Sequence, residues 1–285
     1  MEKNLYIDAS HPNETRIVLK SDNSIEEYEF EDKNKLNFKN NIYLGTVSRV
    51  EPSLQAAFIN FGRIKHGFLA FNDIQSDYYQ IPLEDKERIK NAEEKIRENL
   101  KNKTAEDLSE EKKIDTLNEK TEEKNLTKSD EEVKKEYREE LKTTYGLKRY
   151  RIQEVIKPGQ VILIQVIKEE RGQKGAALTT FISLAGKYIV LMPNTPKGGG
   201  ISRKIFNSSD RQKIRNILND IEIPKTMGVI VRTAGANKTK NEIEKDFQNT
   251  LKTWEEIKEK ALESNAPSLV YEEGDIIKRT LRDTY

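Results

Sequence analysis

Residues 41–74 read NIYLGTVSRVEPSLQAAFINFGRIKHGFLAFNDI. Apolar and polar side chains alternate in three short runs, 42–50, 54–61 and 67–71, with Pro52 and Gly62 between them. Period-two alternation punctuated by proline and glycine marks short strands that bend sharply, and such strands in succession suggest a small barrel. Val47 and Val50 face its core, whereas Arg49, Arg63 and Lys65 are available to solvent. Phe58, Phe61, His66 and Phe68 fall within eleven residues. Rings beside cations on a sheet face suit single-stranded nucleic acid, because each base stacks on a ring for roughly 1–3 kcal/mol while the cations track the phosphates. Strand side chains alternate between faces, so some of these rings must instead fill the barrel.

The barrel pattern stops at 81–148 and resumes after it. This stretch holds 20 acidic and 17 basic residues among 68, a net charge of −3, which leaves the remainder mildly basic. Stretches such as 85–100 and 131–141 could form solvated helices through ion pairs one turn apart, but they carry little apolar stripe. The composition predicts a largely disordered insertion within one domain. Beyond it, Lys157-Pro158-Gly159 reads as a turn, followed by strands over 160–167, 178–184 and 188–192.

Residues 169–203 read EERGQKGAALTTFISLAGKYIVLMPNTPKGGGISR. Charged residues give way to small ones, then to an apolar run, then to a glycine-rich turn flanked by Lys197 and Arg203. Cations beside tightly turning backbone suit phosphate. An ordinary buried strand pair with a glycine turn fits the same letters.

At the N-terminus, the alternating pairs Leu5/Ile7, Ile17/Leu19 and Tyr28/Phe30 predict three antiparallel strands that need a partner from later in the chain. Further on, Ser209-Asp210 can cap a helix over 211–220, and 227–233 reads as a strand. A helix over 242–263 carries the apolar stripe Ile243, Phe247, Leu251, Trp254, Ile257 and Leu262, with Trp254 as a core anchor. Two strand-like runs, 268–271 and 276–281, follow. The last residues show no helix-stop or tail composition, which predicts that the natural chain continues.

Composition narrows the function. Of 285 residues, 35% are hydrophobic and 35% charged, with formal net charge +1, so no overall basicity announces nucleic acid. Cysteine is absent and there are only two histidines, His11 and His66, which rules out disulfides and Cys-ligated zinc within these residues. With no long apolar run and no signal-peptide core, the chain reads as soluble and cytoplasmic, without a membrane segment.

The stretches 41–74, 170–186, 191–203 and 231–235 (VRTAG), with the helix carrying Trp254, closely resemble the ribonuclease E/G endoribonucleases. The likeness spans nearly everything except 81–148. It implies an α+β fold. Residues 1–38 would be the first strands of an RNase H-like domain. Residues 39–183 would be an OB-fold barrel of the S-one type that binds RNA, carrying the 81–148 insertion. Residues 184–276 would be a sensor of the RNA 5′ end, and 277–285 a return to the RNase H-like part. In the barrel, Phe58, Phe68 and Lys174 match the family's RNA-contacting rings and cation. In the sensor, Arg232 and Thr233 match the pair that holds a 5′-monophosphate. Val190 would supply backbone contact, Gly186 would allow a nucleotide to approach, and Arg203 matches a nearby basic residue.

The family's catalytic aspartates, which hold magnesium, belong to a domain downstream, as do a cysteine motif for structural zinc and the surfaces of homo-oligomer assembly. No catalytic residue or metal ligand is therefore expected here, and these residues alone are not expected to cut RNA efficiently. The expected partner is single-stranded RNA, with no small-molecule substrate. A stand-alone, non-catalytic RNA-binding module fits the same residues, and a scaffold built on the charged insertion is a third reading.

Overall fold

The computed structural model describes residues 3–22, 24–32, 37–87, 150–172, 174–195, 200–224 and 226–283. Its strands are β1 (Lys3–Asp8), β2 (Glu14–Ser21), β3 (Ser24–Asp32), β4 (Ile42–Glu51), β5 (Ala56–Asn60), β6 (Gly67–Ala70), β7 (Val161–Lys168), β8 (Ala177–Thr179), β9 (Leu184–Ala185), β10 (Ile189–Met192), β11 (Gly200–Ile201), β12 (Gly228–Val231) and β13 (Ser268–Tyr271). The helices are α1 (Ile152–Val155), α2 (Ser208–Asp220), α3 (Lys240–Glu263) and α4 (Ile276–Asp283). The architecture is α+β.

Five strands close into a barrel in the order β4-β5-β6-β8-β7, sealed by pairing of β4 with β7. The first half of β4 pairs with β7 and its second half with β5. Strand alternation sends Val47, Ala57, Ile59, Leu69, Ile162, Ile164 and Leu178 inward, where each is essentially buried. Phe61 is one of the rings that fill the barrel, stacking edge-on against Tyr43 at 5.2 Å. Phe58 and Phe68 lie on the outer face and are half-buried.

A second sheet, β11-β12-β10-β9, packs against α3 around Ile189, Leu191, Val229, Val231, Ile243, Phe247, Trp254 and Ile257. Fully burying side chains of this size stabilises by roughly 1.5–3 kcal/mol each. Trp254 is the core anchor its spacing predicts, whereas Leu262 is exposed and Ala261 packs in its place. Ile42 and Val270, from the barrel side, belong to this second core, so the two units share a boundary. Gln165 staples them. It is buried on β7, accepts from the Ser183 N–H at 2.8 Å, and donates to the Ser183 and Asn40 carbonyls at 2.9 and 3.0 Å.

The third sheet, β1-β2-β3, is antiparallel as the alternation predicts, with Leu5 opposite Leu19 and Ile7 opposite Ile17. Helix α4 docks on it: the Ile276 N–H donates to a Glu31 carboxylate oxygen at 3.0 Å and Arg279 pairs with Glu31 at 3.3 Å.

Three expectations need correction. Residues 276–281 are helical, not a strand. The Asp275 carboxylate accepts from the Lys278 N–H at 2.9 Å, and Ile276 and Thr280, one turn apart, share the buried face. The strand expected over 178–184 breaks after Thr179. There, Thr180 Oγ1 accepts from the Gln75 N–H (2.7 Å), and the Ile182 N–H donates to Asn194 Oδ1 (3.0 Å), replacing ladder bonds with side-chain ones. Helix α2 starts earlier than expected, because Asn207, not Ser209-Asp210, caps it by accepting from the Ser209 N–H at 3.1 Å. Of the charged insertion expected to be largely disordered over 81–148, residues 81–87 are described and 83–87 form one helical turn, while 88–148 lie outside the described residues, as does the glycine turn at 196–199.

Candidate nucleic-acid interface

On the outer face of the barrel the register lines up Arg49, Phe58, Phe68 and Ala177 across β4, β5, β6 and β8. The Arg49 guanidinium lies 4.4 Å from the centre of the Phe58 ring, and Phe58 meets Phe68 edge-to-face at 6.0 Å and 75°. Ala177, with its small side chain, is paired in turn with Lys168 on β7, which brings a second cation into register with the row. A ring stacked on one cation and standing beside another ring presents an apolar, electropositive platform, which is what an unpaired base and its phosphate need.

Lys174 stands at the border of this row. It closes a tight hairpin with Arg171, and the next residue, Gly175, packs so closely on β6 that a Cβ there would lie 2.0 Å from the His66 carbonyl oxygen. Only glycine permits that approach. The hairpin is also held by Lys65, which donates to the Gly172 carbonyl at 2.7 Å and pairs with Glu170 at 3.5 Å. Phe58 and Phe68 are thus in direct contact, and exposed Lys174 sits at the edge of the same strand pair. Arg49, treated in the sequence as one solvated cation among several, is part of the row.

The second group forms where β9 turns into β10 and β12 ends. The Arg232 N–H donates to the Tyr188 carbonyl at 2.8 Å. Its side chain donates from Nη1 to the Gly186 carbonyl at 2.9 Å and to that of Lys187 at 3.5 Å, and the same nitrogen pairs with Asp283 at 2.6 Å. All three contacts fall on Nη1. Among the described residues, Nε and Nη2 have no protein partner, so three N–H donors on two nitrogens of the guanidinium remain for a ligand. Exposed Thr233 follows directly, and the Ser202 N–H bonds the Val231 carbonyl at 2.8 Å, which sets exposed Arg203 beside the end of β12.

Asp246 on α3 holds the hairpin from behind. Its carboxylate accepts from the N–H groups of Lys187, Tyr188 and Ile189 at 3.1, 2.8 and 3.1 Å. Gly186 owes its identity to this packing: a Cβ would lie 2.6 Å from Asp246 Oδ2 and 2.9 Å from Thr250 Oγ1. The direction a Cβ would take from Gly186 therefore faces α3. Val190, expected to supply backbone contact, lies on β10. It is registered with Ala185 on one flank and Ile230 on the other, so its main chain lies inside the sheet.

Asp283 was not legible in the sequence. Burial pushes its carboxyl up, but hydrogen bonds and charge from Arg282 and Arg232 outweigh that and hold it below the usual aspartate value. Arg282 in turn pairs with Glu273 at 2.9 Å, and the Glu273 N–H donates to Asn41 Oδ1 at 2.9 Å, which connects this corner to the barrel.

Comparison with known proteins finds relatives along almost the whole chain. The Ribonuclease E/G family matches residues 183–285. Ribonuclease E of Escherichia coli is 34% identical over 281 residues, 99% of this chain and 21% of that protein. Ribonuclease E of Buchnera aphidicola from Schizaphis graminum is 33% identical over 281 residues, 99% of this chain and 23% of that protein. This chain belongs to the ribonuclease E/G family. Ribonuclease G of Haemophilus influenzae is 26% identical over 272 residues, 95% of this chain and 43% of that protein. The chain spans under a quarter of the length of the two ribonuclease E proteins. Among the described residues of this family member, no three His, Asp or Glu side chains gather as a metal site would require, and no helix is long and apolar enough to cross a membrane.

Proposed function

We propose that this chain is the RNA-binding and 5′-end-sensing portion of a ribonuclease E/G-type endoribonuclease acting on single-stranded RNA. The barrel row Arg49-Phe58-Phe68, with Lys174, carries unpaired bases and their phosphates. Arg232, Thr233 and Arg203 grip a 5′-monophosphate. In this reading β1–β3 and α4 belong to an RNase H-like unit. Magnesium-dependent cleavage belongs to other parts of a longer, oligomeric protein.

The observation that carries the reading is the guanidinium of Arg232. Two backbone carbonyls and the Asp283 carboxylate hold one of its nitrogens, the other two have no partner among the described residues, and exposed Thr233 follows directly in the chain. A planar fork held in this way favours a doubly charged, multi-oxygen ligand over a hydroxyl.

The division of labour is tested by fluorescence anisotropy on a short A/U-rich RNA bearing either a 5′-phosphate or a 5′-hydroxyl. The Phe58→Ala/Phe68→Ala double variant weakens both RNAs alike if the barrel row is the general platform. Weakening of the phosphorylated RNA alone would refute that assignment.

A further inference from the structure

The hairpin that receives Arg232 carries a second cationic feature. Lys187 Nζ lies 5.7 Å from the centre of the Tyr188 ring, and Lys238 Nζ lies 5.2 Å from the same centre. The two lysines come from different elements, one from the β9–β10 turn and the other from the segment after the Thr233–Gly235 turn. Tyr188 is fixed between them. Its N–H donates to Asp246 at 2.8 Å, its carbonyl accepts from the Arg232 N–H, and Gly235 packs so close that a Cβ would lie 3.1 Å from that carbonyl oxygen. Arg232 itself bonds the carbonyls of residues 186 and 187. Three cations are thereby tied to one short piece of backbone, 186–188.

The nearby acids are already engaged. Asp246 accepts from three backbone N–H groups. Glu242 lies 3.6 Å from Lys238 but also caps α3, accepting from both the N–H and the hydroxyl of Thr239 at 2.9 Å. Asp283 is shared between Arg232 and Arg282. Among the described residues, no carboxylate pairs with Lys187. Two ammonium groups beside one ring repel each other, and the ring's negative face offsets this only in part. An anion placed near both satisfies them better.

We propose that Lys187, Tyr188 and Lys238 form a second phosphate subsite that takes the phosphodiester following the 5′-terminal nucleotide. The preferred ligand is then a 5′-phosphorylated oligonucleotide, not a mononucleotide. The proposal rests on reading Arg232 and Thr233 as the grip on the terminal phosphate. An RNA strand anchored there carries its next phosphate over the adjacent surface, and that surface holds these two lysines. The ring beside both ammonium groups covers part of each from water, which strengthens their attraction for an anion.

The test is isothermal titration at fixed low salt with 5′-phosphorylated uridine, 5′-phosphorylated uridylyl-uridine and uridine 5′-triphosphate. The proteins are the wild type, the Lys187→Ala/Lys238→Ala double variant and Arg232→Ala. Both lysines are at least partly exposed, and Glu242 still caps α3 without Lys238, so the double variant keeps its fold. In the wild type the dinucleotide binds about tenfold tighter than the mononucleotide, as expected for added charge-assisted contacts. In the double variant that gain falls to within about twofold while mononucleotide affinity is unchanged, and the salt slope for the dinucleotide flattens by about 1. The subsite is overturned if the dinucleotide gains nothing in the wild type, or if its gain survives the double variant. It is also overturned if the triphosphate gains equally, since the lysines would then read terminal charge. Failure of Arg232→Ala to weaken the mononucleotide would refute the terminal grip instead, a result separable from the dinucleotide gain.

Discussion

Arg232 Nη1 and Asp283 Oδ1 lie 2.6 Å apart, joining the end of β12 to the last turn of α4. This places a negative charge beside the guanidinium proposed to grip a phosphate. The Gly186 carbonyl at 2.9 Å holds the same nitrogen, so orientation does not depend on the carboxylate alone. The electrostatic cost of the neighbouring charge therefore outweighs its service as an anchor. Asp283→Asn is expected to tighten binding of 5′-phosphorylated RNA about threefold, with 5′-hydroxyl RNA unchanged. The ion pair is partly exposed, so thermal unfolding should report a loss of only about 0–1 kcal/mol. Weaker binding of the phosphorylated RNA would instead make Asp283 an essential orienting group.

Gly186→Ala acts on the fold. A methyl group 2.6 Å from Asp246 Oδ2 must displace a carboxylate that satisfies three N–H groups. A shifted carboxylate leaves one or two of these donors unpaired at roughly 1–3 kcal/mol each, so the variant should lose about 2–4 kcal/mol in denaturant unfolding. Asp246→Ala should produce a similar loss. A Gly186→Ala variant with wild-type stability but impaired RNA binding would mean that the glycine serves the ligand after all.

Arg49 is expected to act on every RNA alike. Its guanidinium covers the Phe58 ring at 4.4 Å, on the barrel and not on the β9–β10 hairpin that receives Arg232. Arg49→Ala should weaken phosphorylated and hydroxyl RNAs by the same factor, about fivefold, and flatten the salt dependence by about 0.7 per lost phosphate contact. An effect confined to phosphorylated RNA would contradict the separation of the two surfaces.

The barrel was legible because its strands alternate strictly and turn at glycine and proline. The aromatic row was legible because Phe58 and Phe68 fall on outward positions of neighbouring strands. Helix α4 was not legible, because eight residues with adjacent isoleucines satisfy a strand pattern as well as a helical one, and only the Asp275 cap and the docking on Glu31 decide between them. Asp283 and Asp246 were missed because both act on backbone or charge from distant parts of the chain, and no local spacing marks such contacts. The packing constraint on Gly186 was hidden for the same cause: the atoms that exclude a side chain lie on α3.

The pH dependence of end recognition should follow the ligand. Asp283 is held below its ordinary value, so its stabilising contribution is complete above that value and is lost only as pH falls through the lowered one. It stays ionised across neutral pH. A phosphate monoester takes its second negative charge near pH 6. Affinity for 5′-phosphorylated RNA should therefore rise between about pH 5.5 and 7.5, while 5′-hydroxyl RNA stays level, as anisotropy titrations at constant ionic strength can show. A level profile for both would argue against a phosphate contact at Arg232.

The most direct test compares 5′-monophosphate and 5′-hydroxyl forms of one short single-stranded RNA, at fixed salt, on the wild type and on Arg232→Ala. One charge-assisted contact of about 1.5–3 kcal/mol predicts a preference for the monophosphate of roughly ten- to a hundredfold. That preference should collapse in the variant while 5′-hydroxyl binding persists. Equal affinity for both ends in the wild type, unaltered by Arg232→Ala, would contradict the 5′-end grip and leave only a general RNA-binding barrel.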